Sequence, residues 1–227
     1  MQRVRLLAIG DMQNGFTRED GNLAIPGAEE ILGLTNDFLR RVDGFFDYTL
    51  IVQDTHFAEE YGRSEESRTF PLHCEYGTAD WELSVDVSGL PNKHYLTKNQ
   101  YDMWSRSGLH EISFDDPKRK IAYENLFHVV DDPHEPRART TRDGFLAMLQ
   151  QAGSGAAIDV TLIGVAADYC NRYAMEGWLA RGARVTILQD LTKGIEKETP
   201  QVLAEERYRD YTPGRLRAVD SAEYAWE

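Results

Sequence analysis

DVTLIGVAADYCNRYAMEGWLARGARVTILQDL (159–191) decides the fold. Its first ten residues (159–168) are a near-continuous apolar run ending in an acid. Residues 169–183 follow with Ala174, Met175, Trp178 and Leu179 at helical spacing, and 184–191 return to an apolar run. Strand, helix and strand in that order, with strands too apolar to alternate, describe a crossover between parallel strands buried on both faces. The pattern repeats outward along the chain. VRLLAIGDM (4–12), YTLIVQDTH (48–56) and HYLTKN (94–99) read as further strands. GAEEILGLTNDFLRRV (27–42) reads as a helix with Ile31, Leu34, Phe38, Leu39 and Val42 on one face. TTRDGFLAMLQQAG (140–153) and TPQVLAEERYRDY (199–211) read as two more. The expected class is α/β: a doubly wound, mostly parallel sheet with helices on both faces. One domain is expected over residues 1–227, interrupted by an insertion at about 104–139 that covers a sheet edge or the site.

Composition bounds the function. Twenty-five Lys and Arg against 38 Asp and Glu give a formal charge of −13, which disfavours a phosphate backbone as a partner, so nucleic-acid binding is not expected. No stretch approaches the roughly 18 apolar residues of a membrane span, and the N-terminal run lacks the length and cleavage site of a signal peptide. Two cysteines, Cys74 and Cys170, are too few for a secreted disulfide scaffold. The expectation is a soluble, cytoplasmic protein acting on a small molecule.

In doubly wound sheets ligands bind beyond the carboxyl ends of the strands. Reactive side chains gather at the expected strand ends: Asp11, Asp54, His56, Lys98 and Cys170. Cys170 opens a helix, with Asp168 as an expected N-cap, so the helix dipole is expected to favour its thiolate. Asp11 can accept the thiol proton, and Lys98 can hold the charges in place. Asp54 and His56, two apart on a strand, face the same side. With His73 of FPLHC they make a carboxylate and two imidazoles, a donor set that leaves open positions on a cation. His94, His110, His128 and His134 lack such partners and read as surface or structural.

These residues carry a family resemblance. DMQNGF (11–16) resembles the D-x-Q-x-x-F opening of the isochorismatase-like cysteine hydrolases. IVQDTH resembles their second strand, FPLHCEYGT (70–78) their W-P-x-H-C-x-x-G-T segment, and LTKNQYD their lysine strand. LIGVAADYCNRYAMEGWLARGARVTILQD (162–190) resembles their nucleophile block, and the matches run in family order across nearly the whole chain. The D-x-H and P-x-H-C pair resembles the metal-binding nicotinamidase branch.

The resemblance implies a Rossmann-like three-layer fold and a catalytic triad of Asp11, Lys98 and Cys170. It implies metal ligands Asp54, His56 and His73, and an oxyanion hole from the backbone N–H groups of Ala166 and Cys170 beside a cis peptide. It places Phe16, Phe70 and Tyr101 against the substrate ring. A divalent metal is implied, zinc first, with iron or manganese as alternatives, and so is a homo-oligomer. With no second histidine between His56 and His73, a fourth protein ligand, if there is one, is expected from Glu59 or Glu60. Gly15, Phe70 and Ala167 stand where many members have Asp, Trp and Thr. The activity implied is hydrolysis of nicotinamide to nicotinic acid and ammonia through a cysteine thioester. The alternatives are a metal-independent amidohydrolase of a carbamoyl or ureido compound, an isochorismatase-like hydrolase, or a silent binding module that uses the insertion as its interface.

Overall fold

The computed structural model describes residues 3–42, 44–105, 109–211 and 214–226. Eight strands form one sheet: β1 (Val4–Gly10), β2 (Tyr48–Asp54), β3 (Lys93–Lys98), β4 (His128–Val130), β5 (Ala138–Thr141), β6 (Ile158–Val165), β7 (Arg184–Lys193) and β8 (Leu216–Val219). The spatial order is β5-β4-β3-β2-β1-β6-β7-β8. The six strands from β3 to β8 in that order run parallel, and β4 and β5 add an antiparallel edge. The fold class is as expected.

Among the described residues, seven α-helices accompany the sheet: α1 (Asn14–Thr17), α2 (Leu32–Arg41), α3 (Ala58–Tyr61), α4 (Pro117–Glu124), α5 (Arg142–Ala152), α6 (Cys170–Ala180) and α7 (Thr199–Leu203). Successive residues of a strand face opposite sides. Leu7, Ile9, Ile51 and Ile163 therefore pack with Phe38 on one face, while Leu6, Ala8, Leu50 and Leu162 pack with Trp178 on the other. Each face is a core, which explains why these strands do not alternate in polarity. Chain order reverses at β1, whose neighbours are β2 and β6, so the crevice of the sheet opens past the ends of β1 and β6.

Three expectations are corrected. Leu34 is exposed, and Thr35 takes the inward position beside Phe38 and Leu39, because the stripe runs Ile31, Thr35, Phe38, Leu39, Val42. The helix expected over 199–211 stops at Leu203. The chain is extended at Glu205, whose carboxylate gathers Arg172, Lys197 and Arg207, and a single 3₁₀ turn then buries Tyr208. Asp168 is not a helix cap. Its carboxylate accepts the backbone N–H groups of Ile195, Glu196 and Lys197, tying the loop after β7 to the start of α6.

The stretch read as an insertion holds α4, β4 and the start of β5, and its strands extend the β3 edge. Its residues 106–108 lie outside the described residues. Of the C-terminal stretch, 214–226 forms β8 and a 3₁₀ turn; Thr212 and Pro213 lie outside the described residues. No helix among the described residues is long and apolar enough to cross a membrane.

Candidate functional site

The ends of β1, β2, β3 and β6 deliver four buried, chemically active side chains to one point. Asp11 leaves β1 with φ 50°, a left-handed conformation that Asp tolerates better than most residues, and donates its N–H to Val52 O at 3.0 Å. Lys98, the last residue of β3, is 1% exposed. Its ammonium sits 3.0 Å from Asp11 Oδ2, 3.2 Å from Asp54 Oδ1 and 3.4 Å from Cys170 Sγ. A buried ammonium costs several kcal/mol to desolvate, and two carboxylates offset that cost. Burial alone would lower the Lys98 pKa, but Asp11 and Asp54 hold it well above the ordinary lysine range.

The three groups divide the protons among themselves. Burial raises Asp11 to about 6, with Lys98 opposing and the Asp54 charge adding to the rise. Burial also disfavours the Asp54 charge, yet Lys98 and His56 keep that carboxyl well below its usual range. Burial pushes the Cys170 thiol well up, more than Lys98 brings it down. Cys170 does open α6, the position from which a thiolate is expected, but burial pushes its thiol up rather than down. The resting nucleophile is therefore a thiol beside an acceptor.

Beside the lysine, a second cluster forms. Among the described residues, Asp54, His56, Glu66 and His73 are all buried and place one donor atom each within 4.8 Å of one another. Asp54 Oδ2 lies 3.2 Å from His56 Nε2 and 3.1 Å from His73 Nε2; Glu66 Oε2 lies 3.4 and 3.7 Å from the same nitrogens. Donor atoms about 2.0–2.2 Å from one ion sit about 3.3–3.6 Å apart in a tetrahedron, so this set fits a divalent metal. The Glu66 carboxylate oxygens have no hydrogen-bond partner, as befits groups aimed at a cation. His73 Nδ1 lies 2.8 Å from Pro71 O, which leaves Nε2 toward the cluster. Burial would lower the His56 pKa, but Asp54 and Glu66 lift it to about 10, a measure of how strongly this pair of acids draws positive charge.

Glu66 corrects the expectation of Glu59 or Glu60. Glu59 pairs with Arg119 at 2.8 Å, and Glu60 accepts both its hydrogen bonds from Asn99. The short α3 carries those two acids elsewhere, and the following 3₁₀ turn (Glu66–Arg68) brings Glu66 back under the imidazoles. No spacing in the sequence separated Glu66 from Glu65 beside it.

The remaining expected residues fall as follows. Phe70 and Tyr101 meet at 6.3 Å, and Tyr169, which the sequence did not single out for this role, joins them at 5.8 and 5.2 Å. Phe16 is buried in the core and meets the His73 ring at 5.2 Å. The Val165–Ala166 peptide is cis. The Cys170 N–H belongs to the first turn of α6, where amides lack an intrahelical acceptor.

Gln13 is the residue of the D-x-Q pattern whose task becomes visible only in three dimensions. Its amide donates to Asp54 O and accepts from Asp54 N. Cys74 is fully buried with its thiol pushed up by burial, and a Cβ on Gly15 would come within 2.9 Å of its sulfur. The same Cβ would lie 2.6 Å from Asp80 Oδ2, which accepts the Cys74 N–H. Glycine at 15 is thus what Asp80 requires.

The isochorismatase domain family matches residues 5–121. The chain is 28% identical over 208 residues to a nicotinamidase/pyrazinamidase of Mycobacterium tuberculosis, covering 89% of this chain and 94% of that protein. The fold is similar to a pyrazinamidase of Pyrococcus horikoshii solved in complex with zinc (TM-score 0.63, 22% identity, covering 95% of this chain and 98% of that one). It is also similar to PnC1 of L. infantum in complex with nicotinate (TM-score 0.64, 20% identity, covering 96% and 93%).

Proposed function

The chain belongs to the isochorismatase domain family, and on that premise we propose that it is a cysteine amidohydrolase cleaving nicotinamide to nicotinic acid and ammonia. The observation that carries the reading is the Lys98 ammonium, which touches Asp11, Cys170 and Asp54 at once and so joins a nucleophile to a metal-type donor set. The M. tuberculosis relative supports the substrate.

Asp54, His56, Glu66 and His73 would hold a divalent metal, zinc first, whose Lewis acidity would orient a pyridine nitrogen. Phe70, Tyr101 and Tyr169 pack against the ring and keep water from it. Cys170 Sγ attacks the carboxamide carbon while its proton passes to Asp11. The tetrahedral oxyanion is held by the N–H groups of Ala166 and Cys170; removing one such donor typically costs about 10²–10³ in rate. Lys98 keeps Asp11 and the sulfur in register and balances the charge that moves between them. The C–N bond breaks as Asp11 returns the proton to departing ammonia. Water then cleaves the thioester: Asp11 takes a proton from the water as it attacks, the C–S bond breaks, the proton passes on to Cys170 Sγ, and nicotinic acid leaves.

Ammonia release from nicotinamide, measured for the native chain, the chelated chain and Cys170→Ala, tests the reading. Turnover that survives Cys170→Ala removes the thioester. Turnover of nicotinamide indifferent to chelation transfers the reading to a metal-independent amidohydrolase of a small carbamoyl or ureido compound.

A further inference from the structure

At the end of the sheet away from Asp11 and Cys170, the starts of β1, β6, β7 and β8 floor an open cavity of about 320 Å³. Strand register puts Arg5, Asp159 and Arg184 side by side on one face, with Thr186 and Arg217 paired one pleat further on. Further along β1 and β6 the same face is core, carrying Ile9 and Ile163. Its charged end is therefore a break in an otherwise apolar surface. Four arginines line the cavity (Arg3, Arg5, Arg184 and Arg217), and Asp159 is the one acid among the described residues that do. Asp159 is fully engaged: Arg184 Nε and Nη2 reach its two oxygens at 2.7 and 3.3 Å, and Arg3 lies 3.7 Å away. Behind Arg5, Asp47 accepts the Arg5 backbone N–H at 2.7 Å and lies 4.0 Å from its guanidinium. Arg217 has no acid partner among the described residues; its Nε donates to Thr186 Oγ1 at 3.0 Å. Four guanidinium groups against two carboxylates leave two positive charges in excess, on a chain whose formal charge is −13.

We propose that this cavity binds a small phosphate-bearing anion, either a phosphate monoester or free phosphate. A phosphate group carries a charge of about −1.5 to −2 at neutral pH, which matches the excess; a single carboxylate does not. Arg217 offers both terminal nitrogens, because Thr186 occupies only its Nε, and the planar fork they form suits phosphate oxygens. Arg184 offers the terminal nitrogen that its pair with Asp159 leaves over, and Arg5 adds charge from the β1 side. Tyr224, whose hydroxyl is 2.6 Å from Thr161 Oγ1, closes the wall above the sheet. The inference is independent of the reaction proposed for Cys170.

The test is calorimetric titration of the full chain with adenosine monophosphate, inorganic phosphate and succinate, a dicarboxylate control. Both phosphates are expected to bind more tightly than succinate. Arg217→Ala should weaken phosphate binding about tenfold, and Arg5→Ala in that background about tenfold again. Arg18→Ala, which removes an exposed arginine paired with Asp20 outside the cavity, should leave it unchanged. Adenosine monophosphate binding tighter than phosphate assigns the site to a monoester, and equal binding assigns it to free phosphate. Neither phosphate binding, succinate binding as tightly, or phosphate binding that survives the double variant overturns the proposal; in the last case the anion sits elsewhere, the buried donor cluster included. Sedimentation of the native chain as an oligomer that Arg217→Ala dissociates also overturns it, because the arginines then serve a second copy. Should the double variant fail to fold, Arg217→Ala alone, a change at an exposed position of a border strand, decides the matter.

Discussion

Gln13 and Asp54 exchange two buried hydrogen bonds: Gln13 Nε2 donates to Asp54 O at 2.9 Å, and Asp54 N donates to Gln13 Oε1 at 2.7 Å. A third contact, Gln13 Nε2 to Trp81 O at 2.8 Å, fixes the amide plane. The start of α1 is thereby tied to the end of β2, and Asp54 can serve Lys98 with one oxygen and the imidazoles with the other. Gln13→Leu leaves the Asp54 amide and carbonyl unpaired in the core, so a loss of about 2–4 kcal/mol is expected in urea unfolding. Metal affinity, measured by competition with a chromophoric chelator, is expected to fall about 10–100-fold.

Glu66→Gln should lower metal stoichiometry or affinity by a similar factor, since it removes one charged donor of four. Glu59→Gln and Glu60→Gln should leave metal content, read by elemental analysis, at the native level. A loss in the Glu60 variant equal to that in the Glu66 variant would contradict the placement of the fourth donor.

Cys170→Ala should reduce ammonia release by about 10³-fold or more, because no other side chain at the site can form the thioester. Cys74→Ala should keep most of the activity and cost about 1 kcal/mol of stability, as the loss of a small buried group does.

Asp11 sets the acid limb of the pH profile. It must be charged to accept the thiol proton, and burial places its midpoint at about 6. The value of kcat/KM should therefore be flat above that midpoint and fall roughly tenfold per pH unit well below it. Asp11→Asn should be nearly inactive at every pH. An acid limb centred near 4, the range of an ordinary exposed carboxyl, would show that another group controls it.

Gly15→Ala should destabilise the chain by about 1–3 kcal/mol, because the new Cβ meets Asp80 Oδ2 at 2.6 Å and Cys74 Sγ at 2.9 Å. A thermal melt would register this as a lowered Tm with the activity of the surviving folded fraction intact.

The sheet was legible because its central strands are apolar on both faces, and because the residue closing each one is polar where a crevice opens. Asp11, Lys98 and Cys170 could be read for that reason: each sits where a β-run stops. Glu66 could not. It lies on a 3₁₀ turn with no period, next to another glutamate, and only the return of the chain over His56 distinguishes the two. Leu34 misled for a related reason: an apolar residue three positions along from Ile31 fits a helical stripe by count, and Thr35 fits it by packing. The upward push on the Cys170 thiol is not legible, because a helix N-terminus is visible in sequence while burial is not.

The two outermost strands of the sheet, β5 and β8, are four residues long and carry Arg139 and Arg217. Such brief, charged borders offer little template for a neighbouring strand to zip onto. Edge-to-edge pairing of copies is thereby disfavoured, and crowding of the protein should not seed ribbon-like growth from either flank.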